Sequence, residues 1–154
     1  GVFFPARSQS MKTISRIALI LVTVTATAAF AKEEPKDPTV KARTDLMKTV
    51  GQNMKVLGDM AGEKAAFDAA AATAAKDALA AAFAEVPAKF EPQATDPASE
   101  AKPEIWTNWD DFVSKATKAQ EAAAAIDTSS LATLQAGVGA VGGACKACHT
   151  DYRM

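Results

Sequence analysis

Near the C-terminus the chain reads Cys145-Lys146-Ala147-Cys148-His149, and it has no other cysteine and no other histidine. No other feature constrains the fold as strongly. Two thiols separated by two residues can add to the two vinyl groups of one haem, and the histidine beside the second thiol is placed to ligate the iron. One haem c, bound through Cys145 and Cys148 with His149 on the metal, follows from one helical turn. The lack of a second histidine excludes bis-histidine ligation and a second haem of this type. Two other readings of the motif fare poorly. A thioredoxin-like Cys-x-x-Cys expects a strand before it and a helix after it, whereas an Ala/Gly-rich helical pattern precedes this one and the chain ends shortly after. A structural zinc site needs four protein ligands, and here only Asp151 lies near enough to complete the set.

The first part of the chain reads as an address. Residues 11–16 form a short basic segment, Ile17 to Ala29 an apolar run, and Ala29-Phe30-Ala31 a small-x-small cleavage pattern before Lys32. This is the pattern of a secretory signal peptide spanning residues 11–31, cleaved near Ala31. The run is shorter than the roughly 20 residues a membrane-spanning helix needs. Residues 1–10 fit neither signal nor fold and read as upstream sequence or a mis-set start. Export matches the chemistry, since cysteine-linked haem is assembled beyond the bacterial inner membrane, so the periplasm is the expected compartment.

Residues 32–154 have the length of one domain. They hold 14 basic against 18 acidic residues, a net charge of −4. That surface, made more negative by haem propionates, argues against nucleic acid and anionic membranes as partners and favours a basic or weakly charged redox protein.

Helical periodicity runs through this segment, and strand signals are nearly absent. Asp37-Pro38 reads as an N-cap followed by proline at the first helical position; Val40, Arg43, Met47, Val50, Met54 and Leu57 then recur at steps of three and four, predicting a first helix that ends near Gly62. The alanine-rich stretch from Ala65 to Val86 predicts a second, closed by Pro87. Four prolines within residues 87–103 predict a long crossing loop. Pro103-Glu104-Ile105-Trp106 opens a third helix, with Trp109, Phe112, Ala116, Ala119, Ala123 and Ile126 facing inward and its aromatic residues read as core. Thr128 or Ser129 caps a fourth, on which Leu131, Leu134, Val138, Val141, Cys145 and Cys148 place both thiols on a buried seam. The expected fold is all-α, an antiparallel four-helix bundle in which haem replaces part of the core. Gly137, Gly139, Gly142 and Gly143 each cost about 1 kcal/mol against alanine in such a helix. Either close approach to haem or to the first helix offsets this, or they fray or kink the helix.

The C-terminal haem motif followed by Tyr152-Arg153, the Pro103-Glu104-Ile105-Trp106 helix opening, and Arg43 four residues before Met47 together resemble the cytochrome c-prime family, the class II c-type cytochromes. The resemblance covers nearly all of residues 32–154. It implies haem attachment at Cys145 and Cys148, iron ligation by His149, and a role for Arg153 on the proximal face. It also implies a distal residue at position 47. In the high-spin members that residue is apolar and non-coordinating; Met47 resembles the low-spin branch, in which methionine is the second iron ligand. The expectation is then a one-electron carrier and not an enzyme, its six-coordinate iron held by His149 and Met47. The alternative is a five-coordinate haem protein that binds or scavenges nitric oxide or carbon monoxide, with Met47 as core filler. Met54 lies about 10 Å along the helix from Met47 and cannot share its iron; Met60 and Met154 rank lower. Arg43, on the apolar stripe, needs a charge partner, most naturally a haem propionate. Pairing of two copies through the first and second helices, as in many relatives, is expected.

Overall fold

The structure, a computed structural model, describes residues 1–2 and 32–154. The signal peptide expected over residues 11–31, and residues 3–10 before it, lie outside the described residues.

Asp37 starts the first helix as its sequence requires. Its backbone is extended, its carboxylate accepts the N–H groups of Thr39 (2.8 Å) and Val40 (3.0 Å), and Pro38 occupies the first helical position, where a missing N–H leaves no acceptor unpaired. Helix α1 runs Pro38–Ala61 and buries Val40, Arg43, Leu46, Val50, Leu57 and Met60.

Helix α2 covers Ala69–Phe90, four residues later at each end than the alanine pattern suggests. Asp68 caps it by accepting the N–H of Ala71 at 2.9 Å. Pro87 lies inside the helix instead of closing it. A proline removes one internal hydrogen bond, but the buried row Phe83, Val86 and Phe90 continues past it and holds the last turn against the core.

The third expected helix is divided. A single turn, α3 (Glu104–Thr107), is followed by a break at Asn108 (φ −119°, ψ 41°) and then by α4 (Trp109–Ala124). Ile105 is fully buried in that turn, and the Trp106 indole donates to the Phe90 carbonyl at 2.8 Å. The first turn is therefore an anchor on the end of α2, separated from α4 by the break at Asn108. Phe112, Ala116, Ala119, Ala123 and Ile126 are buried as expected, and Trp109 is only partly so.

Helix α5 spans Leu131–Tyr152. Its cap is Ser130, one residue beyond the expected positions, because Thr133 can return the hydrogen bond: the Ser130 hydroxyl accepts Thr133 N–H while the Thr133 hydroxyl accepts Ser130 N–H, both at 3.2 Å. Gly137 is the crowded one of the four. A Cβ there would meet Ile126 at 3.0–3.2 Å, whereas Gly139, Gly142 and Gly143 face open space.

The long helices contact one another in a closed ring, α1 on α2, α2 on α4, α4 on α5 and α5 on α1. This is the arrangement of a four-helix bundle joined by successive connections. Alanines at 72, 75, 82, 116, 119 and 123 let the helices approach closely around Leu57, Leu79 and Leu134. Among the described residues there is no strand, only an isolated antiparallel bridge between Ala101 and Arg153, and no helix is long and apolar enough to cross a membrane.

Candidate haem site

Where α1 faces α5 the bundle does not close. It leaves a cavity of about 600 Å³, bordered at one end by Phe90 and residues 98–101, within the roughly 300–1,000 Å³ range of small-molecule sites.

The α5 wall carries Gly142, Cys145, His149 and Tyr152, which follow one another at helical steps along one face. Gly142 presents no side chain to the cavity. Cys145 and Cys148 are free thiols, half-buried and therefore not on a sealed seam; both pack against the core, and Cys145 also lines the cavity. Burial pushes the Cys145 thiol up and Cys148 up to about 11. At His149, desolvation followed by the nearby Arg153 pulls the pKa below the ordinary imidazole value. An imidazole ligates a metal in its neutral form.

The α1 wall carries Val40, Arg43, Thr44, Met47, Lys48, Val50, Gly51 and Met54. Met47 and Met54 both reach the cavity and are both partly exposed. Met60 is in the core, and Met154 is 69% exposed at the chain end.

Arg43, at 3% exposure, is the one buried charge among the described residues. Its Nε donates to the Lys89 carbonyl (3.1 Å), Nη1 to that of Ala94 (3.2 Å), and Nη2 to that of Pro92. The guanidinium carbon lies 5.3 Å from the Phe90 ring centroid and 5.1 Å from that of Trp106. Desolvation lowers its pKa, and Asp37 opposes that. The three carbonyls belong to the end of α2 and the loop after it, so this one side chain fixes α1 to that loop. A second N–H on each terminal nitrogen remains for another acceptor.

At the cavity mouth Arg153 gives Nε and Nη2 to the Glu100 carboxylate, each at 2.8 Å, and Lys32 pairs with the same carboxylate. Lys48 pairs with Glu34 at 2.9 Å. The C-terminal residues are tied to the segment before α3, with Lys102 N–H donating to the Tyr152 carbonyl (3.0 Å) and Met154 N–H to that of Glu100 (2.9 Å).

Sequence reasoning did not find Glu100, nor the group formed by Asp111, Lys115, Asp151 and Tyr152. Tyr152 donates its hydroxyl to Asp111 at 2.5 Å across a separation of 41 residues. No local pattern announces such a pair. Its only trace was Tyr152-Arg153 following the haem motif.

Two thiols, an imidazole, apolar walls and a cationic mouth are the donor set and surroundings that a haem with two propionates requires. The residues present fit that group. The comparisons with known proteins agree. The sequence model of the family described as Cytochrome C' matches residues 38–153. Cytochrome c-556 of Agrobacterium fabrum is 34% identical over 148 residues, covering 94% of this chain and 96% of that protein. A solved cytochrome c' from Rhodobacter sphaeroides superposes with a TM-score of 0.71 at 32% identity, over 75% of this chain and 95% of that one. A nitric oxide complex of a point mutant of cytochrome c prime from Alcaligenes xylosoxidans superposes with a TM-score of 0.68 at 29% identity, over 75% and 93%.

That last structure corrects the main functional expectation. An electron carrier closed by His149 and Met47 has no place for an external ligand, whereas this relative holds nitric oxide. The physical reason lies in the α1 wall. A methionine on an apolar helical stripe is the same signal whether it ligates iron or fills space, and here two methionines share an open cavity. The helical bundle and one covalent haem c, through the chain's only two cysteines, stand as expected from the sequence. By its matched length, its fold and its haem site, the chain belongs to the cytochrome c' family.

Proposed function

We propose that this protein is an exported, periplasmic haem protein that takes up a small diatomic gas, nitric oxide or carbon monoxide, on the α1 side of a five-coordinate haem. Cys145 and Cys148 hold the macrocycle and His149 is the protein ligand to iron. Bound haem supplies an iron with one face free for a neutral ligand. One observation supports this reading above others: Val40, Met47, Val50 and Met54 give the α1 wall a surface of hydrocarbon and thioether, while its cations are engaged elsewhere, Arg43 by three backbone carbonyls and Lys48 by Glu34. Val40, Met47, Val50 and Met54 lack a hydrogen-bond donor, and the Thr44 hydroxyl is spent on the Val40 carbonyl at 3.1 Å. Such a wall gives no stabilisation to water, hydroxide or an anion on iron, each of which would lose its hydrogen bonds on entering. Nitric oxide and carbon monoxide need none. The nitric oxide complex of the Alcaligenes relative supports the same choice of ligand.

Met47 is then a wall residue that an entering gas displaces. Arg43 directs its two remaining N–H groups to a propionate, and Arg153, held by Glu100, keeps a positive charge at the mouth beside His149.

The test is the absorption spectrum of the haem-loaded protein, oxidised and reduced, with and without carbon monoxide. A high-spin ferrous spectrum that shifts on adding the gas is expected, and Met47→Leu should change the gas affinity while leaving the gas-free spectrum high-spin. A low-spin native spectrum indifferent to carbon monoxide, becoming high-spin and gas-binding in Met47→Leu, would overturn the proposal.

A further inference from the structure

Four side chains meet behind the haem-carrying turn, at the end of α5 and on the adjoining turns of α4. Asp111 Oδ2 accepts from the Tyr152 hydroxyl at 2.5 Å and from the Lys115 ammonium at 2.8 Å, and the same ammonium reaches Asp151. Lys115 lies 5.1 Å from the centroid of the Tyr152 ring, which stands edge-on to Phe112 at 5.4 Å. Tyr152 is 5% exposed and the Lys115 side chain 20%.

Their placement is informative. Among the described residues, Tyr152 to Asp111 and Lys115 to Asp151 are the only side-chain hydrogen bonds between α4 and α5. The rest of that interface is apolar, from Leu134 and Val141 on one side to Phe112, Ala116 and Ala123 on the other. Apolar packing is non-directional and allows a helix end to rotate and slide; hydrogen bonds have a preferred length and angle. Both directional contacts fall within three residues after His149, on the last turn of a helix, where fraying is otherwise the rule.

We propose that Asp111 is a positioning residue for the iron ligand: through Tyr152 and Lys115 it fixes the rotation and height of the last turn of α5, and so the direction from which His149 meets the haem iron. The proposal rests on the reading of His149 as the protein ligand of a five-coordinate haem. Asp111 does not line the cavity. Its effect passes through the backbone of residues 149–152.

The iron–histidine stretching band of the ferrous, gas-free holoprotein, seen by resonance Raman, reads that direction. Wild type is compared with Tyr152→Phe, Asp111→Asn and, as control, Asp110→Asn, an exposed neighbour on α4. Tyr152→Phe keeps the ring on Phe112, so a folded variant is available even where Asp111→Asn is too weakened to load. The expected result is one band in wild type and the control, and a shifted or split band in both clamp variants. The double variant should move no further than Asp111→Asn alone, since both remove one link. A band that stays put in both variants while only their melting temperature falls would reduce the group to a stabilising contact and overturn the proposal alone. Absence of the band from wild type would overturn it together with the reading it rests on.

Discussion

The two walls of the haem cavity are held in different ways. On the α1 side one permanently charged side chain, Arg43, is buried among three backbone carbonyls and two aromatic faces. Every partner there is a group that does not titrate. On the α5 side the hold is ionic and half-exposed, built from Asp111, Lys115, Asp151 and Tyr152. The difference matches what each wall carries. On the proposed function the α1 wall need only exclude water around a gas, and flexible methionine suffices for that. On the same reading the α5 wall must present two thioether links and one imidazole in a single geometry, and supplying it is the role proposed for the directional contacts.

The largest effect should come from breaking the α1 hold. Arg43→Met leaves the carbonyls of Lys89, Pro92 and Ala94 facing a side chain that cannot donate, at a cost of about 3 kcal/mol. Chemical unfolding of the holoprotein checks this. Added guanidinium ion should recover part of the loss, because the carbonyl cage is left intact; no recovery would mean that the cage collapses with its occupant.

A smaller contrast lies within α5 itself. Gly137→Ala drives a methyl against Ile126, where a Cβ would sit at 3.0–3.2 Å, and should destabilise by about 1–3 kcal/mol. Gly139→Ala adds the same methyl to open space and should stabilise by about 0.5–1 kcal/mol through helix propensity alone. Melting temperatures of the two variants should move in opposite directions. Equal shifts would mean that Ile126 yields.

The smallest effect is in the response to acid, and it separates the two walls. Hydrogen bonds from Lys115 and then Tyr152 hold the Asp111 carboxyl below its usual range, and burial followed by Asp111 pushes Tyr152 up to about 12. A carboxylate whose folded pKa is depressed adds stability above its unfolded pKa and loses it as the pH falls through the folded value. Stability of the wild type should therefore fall on the acid side of the ordinary carboxylate range, and Asp111→Asn should flatten that limb. Arg43→Met should lower the whole curve without changing its slope there, since arginine stays charged throughout.

Much of the bundle was legible in the sequence because the signals are local. Asp37-Pro38 can only be a helix start, and the haem motif needs no tertiary partner to be recognised. The misses share the opposite cause. Pro87 stops an isolated helix but is carried through here by Phe90 and the Arg43 contact to Lys89; the third helix breaks at Asn108 because Trp106 is drawn to the Phe90 carbonyl. Met47 was ambiguous for the same reason. Its place on the apolar stripe is a matter of spacing, but what it does depends on the space before it.

By itself, then, the sequence determined an all-helical chain carrying one haem at its C-terminal end, since helix caps, apolar period and thiol spacing act over a few residues. The tertiary structure alone decided which of four similar glycines is crowded by a neighbour, where Arg43 spends its charge, and how the last turn of α5 is held. Each of those depends on a partner tens of residues away, brought near only when the helices pack.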